Sequence, residues 1–128
     1  MVAVRRRITD SATSFARDGF GLFTLARREP PREIVGFAGL RRFGPAGEVE
    51  LLYALRPDCW GQGLATEAAR EVLRFGLEDL GLAEILAGAD LENAASFRVM
   101  ERVGMTFARD VTIDGRPTRY YRIRARGA

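Results

Sequence analysis

The sequence predicts an α+β domain in which a mixed, mostly antiparallel sheet is flanked by helices. Three observations predict it. Three apolar segments between residues 20 and 55 are joined by short, turn-rich connections. An amphipathic segment beginning just after residue 60 separates the third of them from an apolar run at 83–89, and Asp114-Gly115 divides the carboxyl end into two strand-like halves. Consecutive strands with short connections form an antiparallel meander, whereas a strand–helix–strand crossover pairs in parallel and is right-handed.

Taken in order, Val4, Ile8, Ala12 and Phe15 recur at helical spacing, which predicts a short amphipathic helix with arginines on its outer face. F-G-L-F-T-L-A-R (20–27) and I-V-G-F-A-G-L-R-R (34–42) read as strands, joined through E-P-P-R-E, whose prolines forbid regular ladder pairing. The turn F-G-P-A-G leads to a third strand, E-V-E-L-L-Y-A-L (48–55), closed by Pro57. In the helix that follows, Leu64, Ala65, Ala68, Val72, Phe75 and Leu80 form one stripe, with Glu67, Arg70, Glu71 and Arg74 off it, and Gly81 ends it. A-E-I-L-A-G-A (83–89) has the continuous apolar character of a central strand covered on both faces. A second helix runs from Ala94 to about Val103, with Gly104 as its left-handed cap. The hairpin around Asp114-Gly115 completes the chain.

A chain of 128 residues accommodates one domain, expected over 1–128, and its 47% apolar content suffices for a core. No apolar run reaches membrane-spanning length, and M-V-A-V-R-R-R lacks the apolar centre of a signal peptide, so a cytoplasmic location and no membrane partner are expected. The chain has no histidine and a single cysteine, Cys59. This excludes Ser-His and Cys-His nucleophilic catalysis and an internal disulfide, and leaves no obvious metal site. All 20 basic residues are arginine, spread along the chain apart from Arg5 to Arg7, against 17 acids. That distribution favours a solvated surface over a nucleic-acid interface, and no nucleic-acid partner is expected.

The informative stretch is R-P-D-C-W-G-Q-G-L-A-T-E-A-A-R-E-V-L, in which Gly61 and Gly63 stand immediately before a strong helix. Glycine there gives up packing and chain entropy, either to make a turn or to let something approach the backbone. A helix start offers unpartnered N–H groups and about half a positive charge, which suits a phosphate. A dinucleotide-binding crossover with Asp90 on the ribose fits badly. The glycines lie well beyond the strand, the third glycine position holds Thr66, and the preceding strands form a meander. Coenzyme A is the other phosphate-bearing alternative.

W-G-Q-G-L-A-T-E-A-A, followed by L-E-N-A-A-S-F-R-V-M-E-R-V-G-M, resembles the GNAT superfamily of N-acetyltransferases, closest to its ribosomal-protein N-terminal (alanine) acetyltransferase branch. The first segment is similar to the pyrophosphate loop [Q/R]-x-x-G-x-[G/A], with Gly63 and Ala65 on the small positions and Trp60 where glutamine or arginine is usual. The likeness extends from about Phe20 to Arg124. It implies a GNAT-type fold and acetyl-CoA as cosubstrate, with no metal. Its pyrophosphate is expected over Gly61, Gln62, Gly63, Leu64, Ala65 and Thr66. The pantetheine would run along Leu52, Tyr53 and Ala54, with Asn93 and Ser96 also in contact.

The implied reaction moves an acetyl group to a primary amine, either a protein N-terminal α-amine or a small-molecule amine. An ammonium group with a pKa of about 8 or 10 must first lose a proton, and a carboxylate could take it directly or through water. Alternation puts Glu48, Glu50 and Leu52 on one strand face, and the resemblance points to Glu50 as base; an exposed strand carboxylate is the alternative. The resemblance also implies a main-chain N–H near Leu52 or Tyr53 for the oxyanion. Where many relatives carry a tyrosine to protonate the departing sulfur this chain has Met100, and Ser96 is the implied substitute, a capping or surface serine being the alternative. Cys59 reads as a small packing residue.

Only one short helix is expected before Phe20, so the family's first strand and first helix are expected to be missing. Three readings stay open: an acetyltransferase with a small or partner-completed acceptor site, a coenzyme A-binding module without catalysis, and an interaction domain derived from the fold. A bare edge on strand 20–27 would invite self-association, and a homodimer is expected on that ground.

Overall fold

A computed structural model of the chain describes residues 2–6 and 19–126. Seven strands form one sheet in the order β1-β2-β3-β4-β5-β7-β6. They are β1 (Val2–Arg6), β2 (Leu22–Arg27), β3 (Ile34–Phe43), β4 (Glu48–Leu55), β5 (Glu84–Asp90), β6 (Thr106–Ile113) and β7 (Arg116–Arg124), with helices α1 (Leu64–Arg74) and α2 (Ala94–Arg102) between β4 and β6. The predicted meander and carboxyl hairpin are present, and β4 and β5 are the parallel pair.

The amino end departs from expectation. Residues 2–6 are a strand, not the start of a helix, and pair antiparallel with β2 from Val2↔Arg27 to Arg6↔Phe23. The rest of the expected helix lies outside the described residues. Helical spacing of four apolar residues is a local signal, and ladder pairing with a distant strand overrides it. The edge of β2 is therefore covered, and the expectations of a missing first strand and of self-association through that edge do not hold.

Apolar residues of alternate sheet positions build the core. Leu25, Val35, Leu40, Leu51 and Ile85 pack with Ala68, Ala69, Val72 and Leu73 of α1 and with Met100 of α2. Within α1 the buried residues are Leu64, Thr66, Ala68, Ala69, Val72 and Leu73. After Arg74 the coil widens into a π turn, Phe75–Asp79, and Gly76 lies so close to the sheet that a Cβ there would stand 2.6 Å from Ile85 Cδ1. Leu40 is fully buried in the middle of this cluster. Leu40→Ala is expected to cost about 3 kcal/mol, because little of the vacated space can collapse, read as a lower urea midpoint with an unchanged m-value.

Candidate active site

Strand β4 positions the site because it changes neighbours along its length. It pairs with β3 from Glu48↔Phe43 to Leu55↔Gly36, but its ladder with β5 registers at Glu50↔Leu86. Strand β5 instead runs antiparallel to β7 over Glu84 to Asp90. Beyond Glu50 the two parallel strands diverge, leaving the β4 segment through Leu52, Tyr53 and Ala54 without a β5 ladder. The Arg56 N–H bonds the Val35 carbonyl, so by alternation the Leu52 and Ala54 amides face β3 and the Tyr53 amide faces the β5 side.

The loop leaving β4 leads directly into α1. Pro57–Cys59 forms a single 3₁₀ turn, and Gly61 and Gly63 both have φ of 76°. A Cβ at either would meet open space, so the left-handed backbone is what requires glycine. Gly63 is the N-cap of α1, and no side chain caps that helix. The loop is fastened from outside. Trp60, 66% exposed, donates its Nε1–H to the Leu55 carbonyl at 3.0 Å. Arg27 donates to Gln62 Oε1 at 3.0 Å, and Gln62 donates to the Asp58 carbonyl at 3.3 Å. The Gln62 side chain is thus committed to the loop. Cys59, 1% exposed, packs beneath it as expected, with guanidinium nitrogens of Arg27 and Arg56 at 3.7 and 3.8 Å from Sγ.

Next to the loop, Gly63, Thr66, Glu67, Arg70, Glu71 and Arg102 line a cleft of about 400 Å³ between the two helices. Arg70 spans it to the Arg102 carbonyl at 3.2 Å.

At the amino end of α2, Asn93 Oδ1 accepts the Ser96 N–H at 3.1 Å, so Asn93 is the N-cap; its carbonyl accepts the Phe97 N–H at 3.3 Å, and its side-chain amide nitrogen is what remains for other contacts. The Ser96 hydroxyl lies 2.7 Å from the Tyr53 hydroxyl, which is also 3.2 Å from the Ser96 carbonyl. Burial pushes the Tyr53 phenol above its usual range, and the Ser96 hydrogen bond works weakly the other way. The phenol is therefore neutral throughout the physiological range. Met100, where a tyrosine hydroxyl was absent from the sequence pattern, is 1% exposed in the core. A tyrosine hydroxyl reaches this neighbourhood from β4 instead. Sequence reasoning placed Tyr53 only through its backbone; the signal available was alternation, which puts Tyr53 with Val49 and Leu51 on the helix-facing side.

Glu50 points from the other face of β4. It is 5% exposed, which corrects the alternative of an exposed surface acid. Arg41, its ladder partner on β3, donates Nε–H and an Nη–H to Oε1, the first at 3.1 Å. Oε2 accepts no hydrogen bond from the described residues. Beside it Arg109 binds Glu48 at 2.7 and 3.2 Å, and this hydrogen bond holds the Glu48 carboxyl below its usual value. Tyr120 stacks on Phe43, with the Arg109 guanidinium 5.6 Å from its ring centre. Burial and then the Glu50 charge push the Tyr120 phenol up. The structure thus joins Tyr53 to Ser96 and sets Gly63 and Thr66 on the cleft between the helices, with Glu50 on the opposite face of β4 from Tyr53.

The sheet splays between its two parallel central strands, and a glycine loop and a helix amino end follow β4. Residues 2–106 match the Acetyltransferase (GNAT) domain, and the chain belongs to that family. An acetyltransferase of the GNAT family from Bacillus anthracis superposes with a TM-score of 0.71 at 25% identity, over 80% of this chain and 65% of that one. The ribosomal-protein-S5-alanine acetyltransferase of Vibrio fischeri has the same fold, with a TM-score of 0.78 at 14% identity over 90% of this chain and 67% of that one. In sequence, the FsC-acetyl coenzyme A-N(2)-transacetylase of Aspergillus fumigatus is 44% identical over 54 residues, 42% of this chain and 23% of that protein. The N-acetyltransferase YnaD of Bacillus subtilis is 36% identical over 56 residues, 44% of this chain and 33% of that protein. The matched region is thus a quarter to a third of the length of these two relatives.

Proposed function

We propose that the chain transfers an acetyl group from acetyl-CoA to a primary amine by direct attack. The observation that carries this reading is that the β4 segment beyond Glu50↔Leu86 lacks a partner on its β5 side and is followed by the uncapped α1 entrance from Gly61 to Thr66. Together they offer a track for an extended amide-bearing arm that ends in a pyrophosphate. Glu50 takes the ammonium proton through Oε2, directly or by way of a water, while Arg41 holds Oε1. Of the Leu52 and Tyr53 amides of β4, that of Tyr53 faces the β5 side and receives the developing oxyanion, a contact that contributes about 3 kcal/mol to the transition state. Ser96 faces the departing sulfur, with its backbone fixed by the Asn93 cap.

The acceptor is a protein N-terminal α-amine or a small-molecule amine. The likeness to the Vibrio alanine acetyltransferase supports the first and the name of the Aspergillus relative supports the second. An acceptor panel of alanine-initiated peptides, lysine peptides and small amines, followed by thiol release from acetyl-CoA, tests the reading. Release above the rate of spontaneous thioester hydrolysis with at least one acceptor is expected. Tight coenzyme binding without release from any acceptor would remove the transferase assignment.

A further inference from the structure

Ser96 has a partner that the transfer reading leaves unused. Its Oγ is 2.7 Å from the hydroxyl of Tyr53, contributed by the strand that borders the splay. The phenolic proton has two acceptors to choose between, Ser96 Oγ and the Ser96 carbonyl at 3.2 Å. When the phenol donates to the carbonyl, the serine proton is drawn back onto the phenolic oxygen. When it donates to Oγ, the serine proton is released to point elsewhere. A negative charge next to Ser96 selects the second arrangement, since only that one turns a donor toward it. Serine alone is a poor acid, because an alkoxide is inaccessible near neutrality. A serine that accepts from a neutral phenol while donating is a stronger donor, because hydrogen bonds in a chain polarise one another.

We propose that Tyr53 and Ser96 act as a two-hydroxyl chain that stabilises the departing coenzyme A thiolate, Tyr53 donating to Ser96 Oγ and Ser96 donating to sulfur. This rests on the acetyl-transfer reading above. The step balances without moving either hydroxyl proton across. As the amine nitrogen–carbon bond forms, the carbon–sulfur bond breaks and its electron pair goes to sulfur. The amine proton goes to Glu50, and the thiolate takes a proton from solvent after its charge has been held by the chain. Tyr53 is thus a positioning residue that works through Ser96. Burial of the phenol, which keeps it protonated, is what such a donor needs.

The test follows the thiol of coenzyme A bound to the full chain, titrated by the ultraviolet absorbance of the thiolate in wild type, Tyr53→Phe, Ser96→Ala and the double variant. Tyr53→Phe keeps the ring and its packing. The bound thiol is expected to titrate about one unit higher in Tyr53→Phe than in wild type, a tenfold loss of thiolate stabilisation. The double variant should titrate no higher than the worse single one, because one chain is broken either way. In turnover with the best acceptor, kcat should fall about tenfold in Tyr53→Phe while KM for acetyl-CoA stays within about twofold. A bound thiol that titrates identically in wild type and Tyr53→Phe overturns the chain, as do additive effects in the double variant. Coenzyme binding with the expected thiol shift but no thiol release from any acceptor overturns the transfer reading and leaves the chain standing. A wild-type protein that does not bind coenzyme A overturns both.

Discussion

Gly63→Asp is expected to abolish measurable acetyl-CoA binding, a loss of at least a hundredfold read by calorimetry on folded protein. Two effects act together. At φ of 76° an aspartate is held in a left-handed backbone that costs an L residue roughly 1–2 kcal/mol, which distorts the run of amides that the proposed phosphate needs. The carboxylate also lies at the α1 entrance, where like charges about 4 Å apart repel by about 4 kcal/mol at a protein surface. Because a Cβ at this position meets open space, the substitution leaves the core alone and the folded protein should be obtainable. Gly63→Ala separates the two contributions, since it carries the backbone cost without the charge, and should weaken binding by about tenfold or less. Unchanged affinity in Gly63→Asp would mean that the pyrophosphate lies elsewhere.

Glu50→Gln is expected to lower kcat by a hundredfold or more, with acetyl-CoA affinity within about twofold, the usual contribution of a positioned base being about 10² to 10⁴. Glutamine retains an oxygen for Arg41 and the shape of the buried side chain, so the change removes basicity and little else. The pH dependence has a fixed sign. An acceptor amine with a pKa of about 8 is mostly protonated at pH 7 and mostly free at pH 9, so the deficit of the variant should shrink as pH rises. A parallel pair of pH–rate profiles would show that the proton leaves by a route other than Glu50. Arg41→Ala is a useful companion: it frees Oε1 without removing the carboxylate, and it should alter the profile without eliminating turnover.

The parts of the molecule legible in the sequence are those whose cause is local. Alternating apolar residues with turn chemistry on either side located β3, β4 and the closing hairpin to within a residue or two. The glycine pair announced the α1 entrance because a left-handed backbone before a helix admits few other residues. What depended on distant partners was lost. Val4, Ile8, Ala12 and Phe15 fit a helix as a pattern, yet residues 2–6 follow the unsatisfied edge of β2, which no local periodicity reveals. Glu50 could be placed on a face by alternation, but its burial depends on Arg41 across the ladder and on the sheet around it. The Tyr53–Ser96 contact joins residues far apart in sequence, and residue type alone would have made Ser96 a capping or surface serine.

The junction of β4 with β5 also has a mechanical meaning. The sheet is two panels, one of four strands and one of three, stitched at Glu50↔Leu86 and bridged by the α1 crossover. A guest lying in the seam supplies hydrogen bonds that neither panel can make to the other, and it works as mortar as well as cargo. At a hundredfold excess over its dissociation constant, a ligand specific for the folded state adds about 2.7 kcal/mol, and at this site that gain falls where β4 and β5 share a single registered pair. Amide exchange should therefore slow most along the seam, at Tyr53 and Leu55, while the interior of β3 changes little. With acetyl-CoA as the proposed guest, its concentration would set how long the protein survives proteolysis.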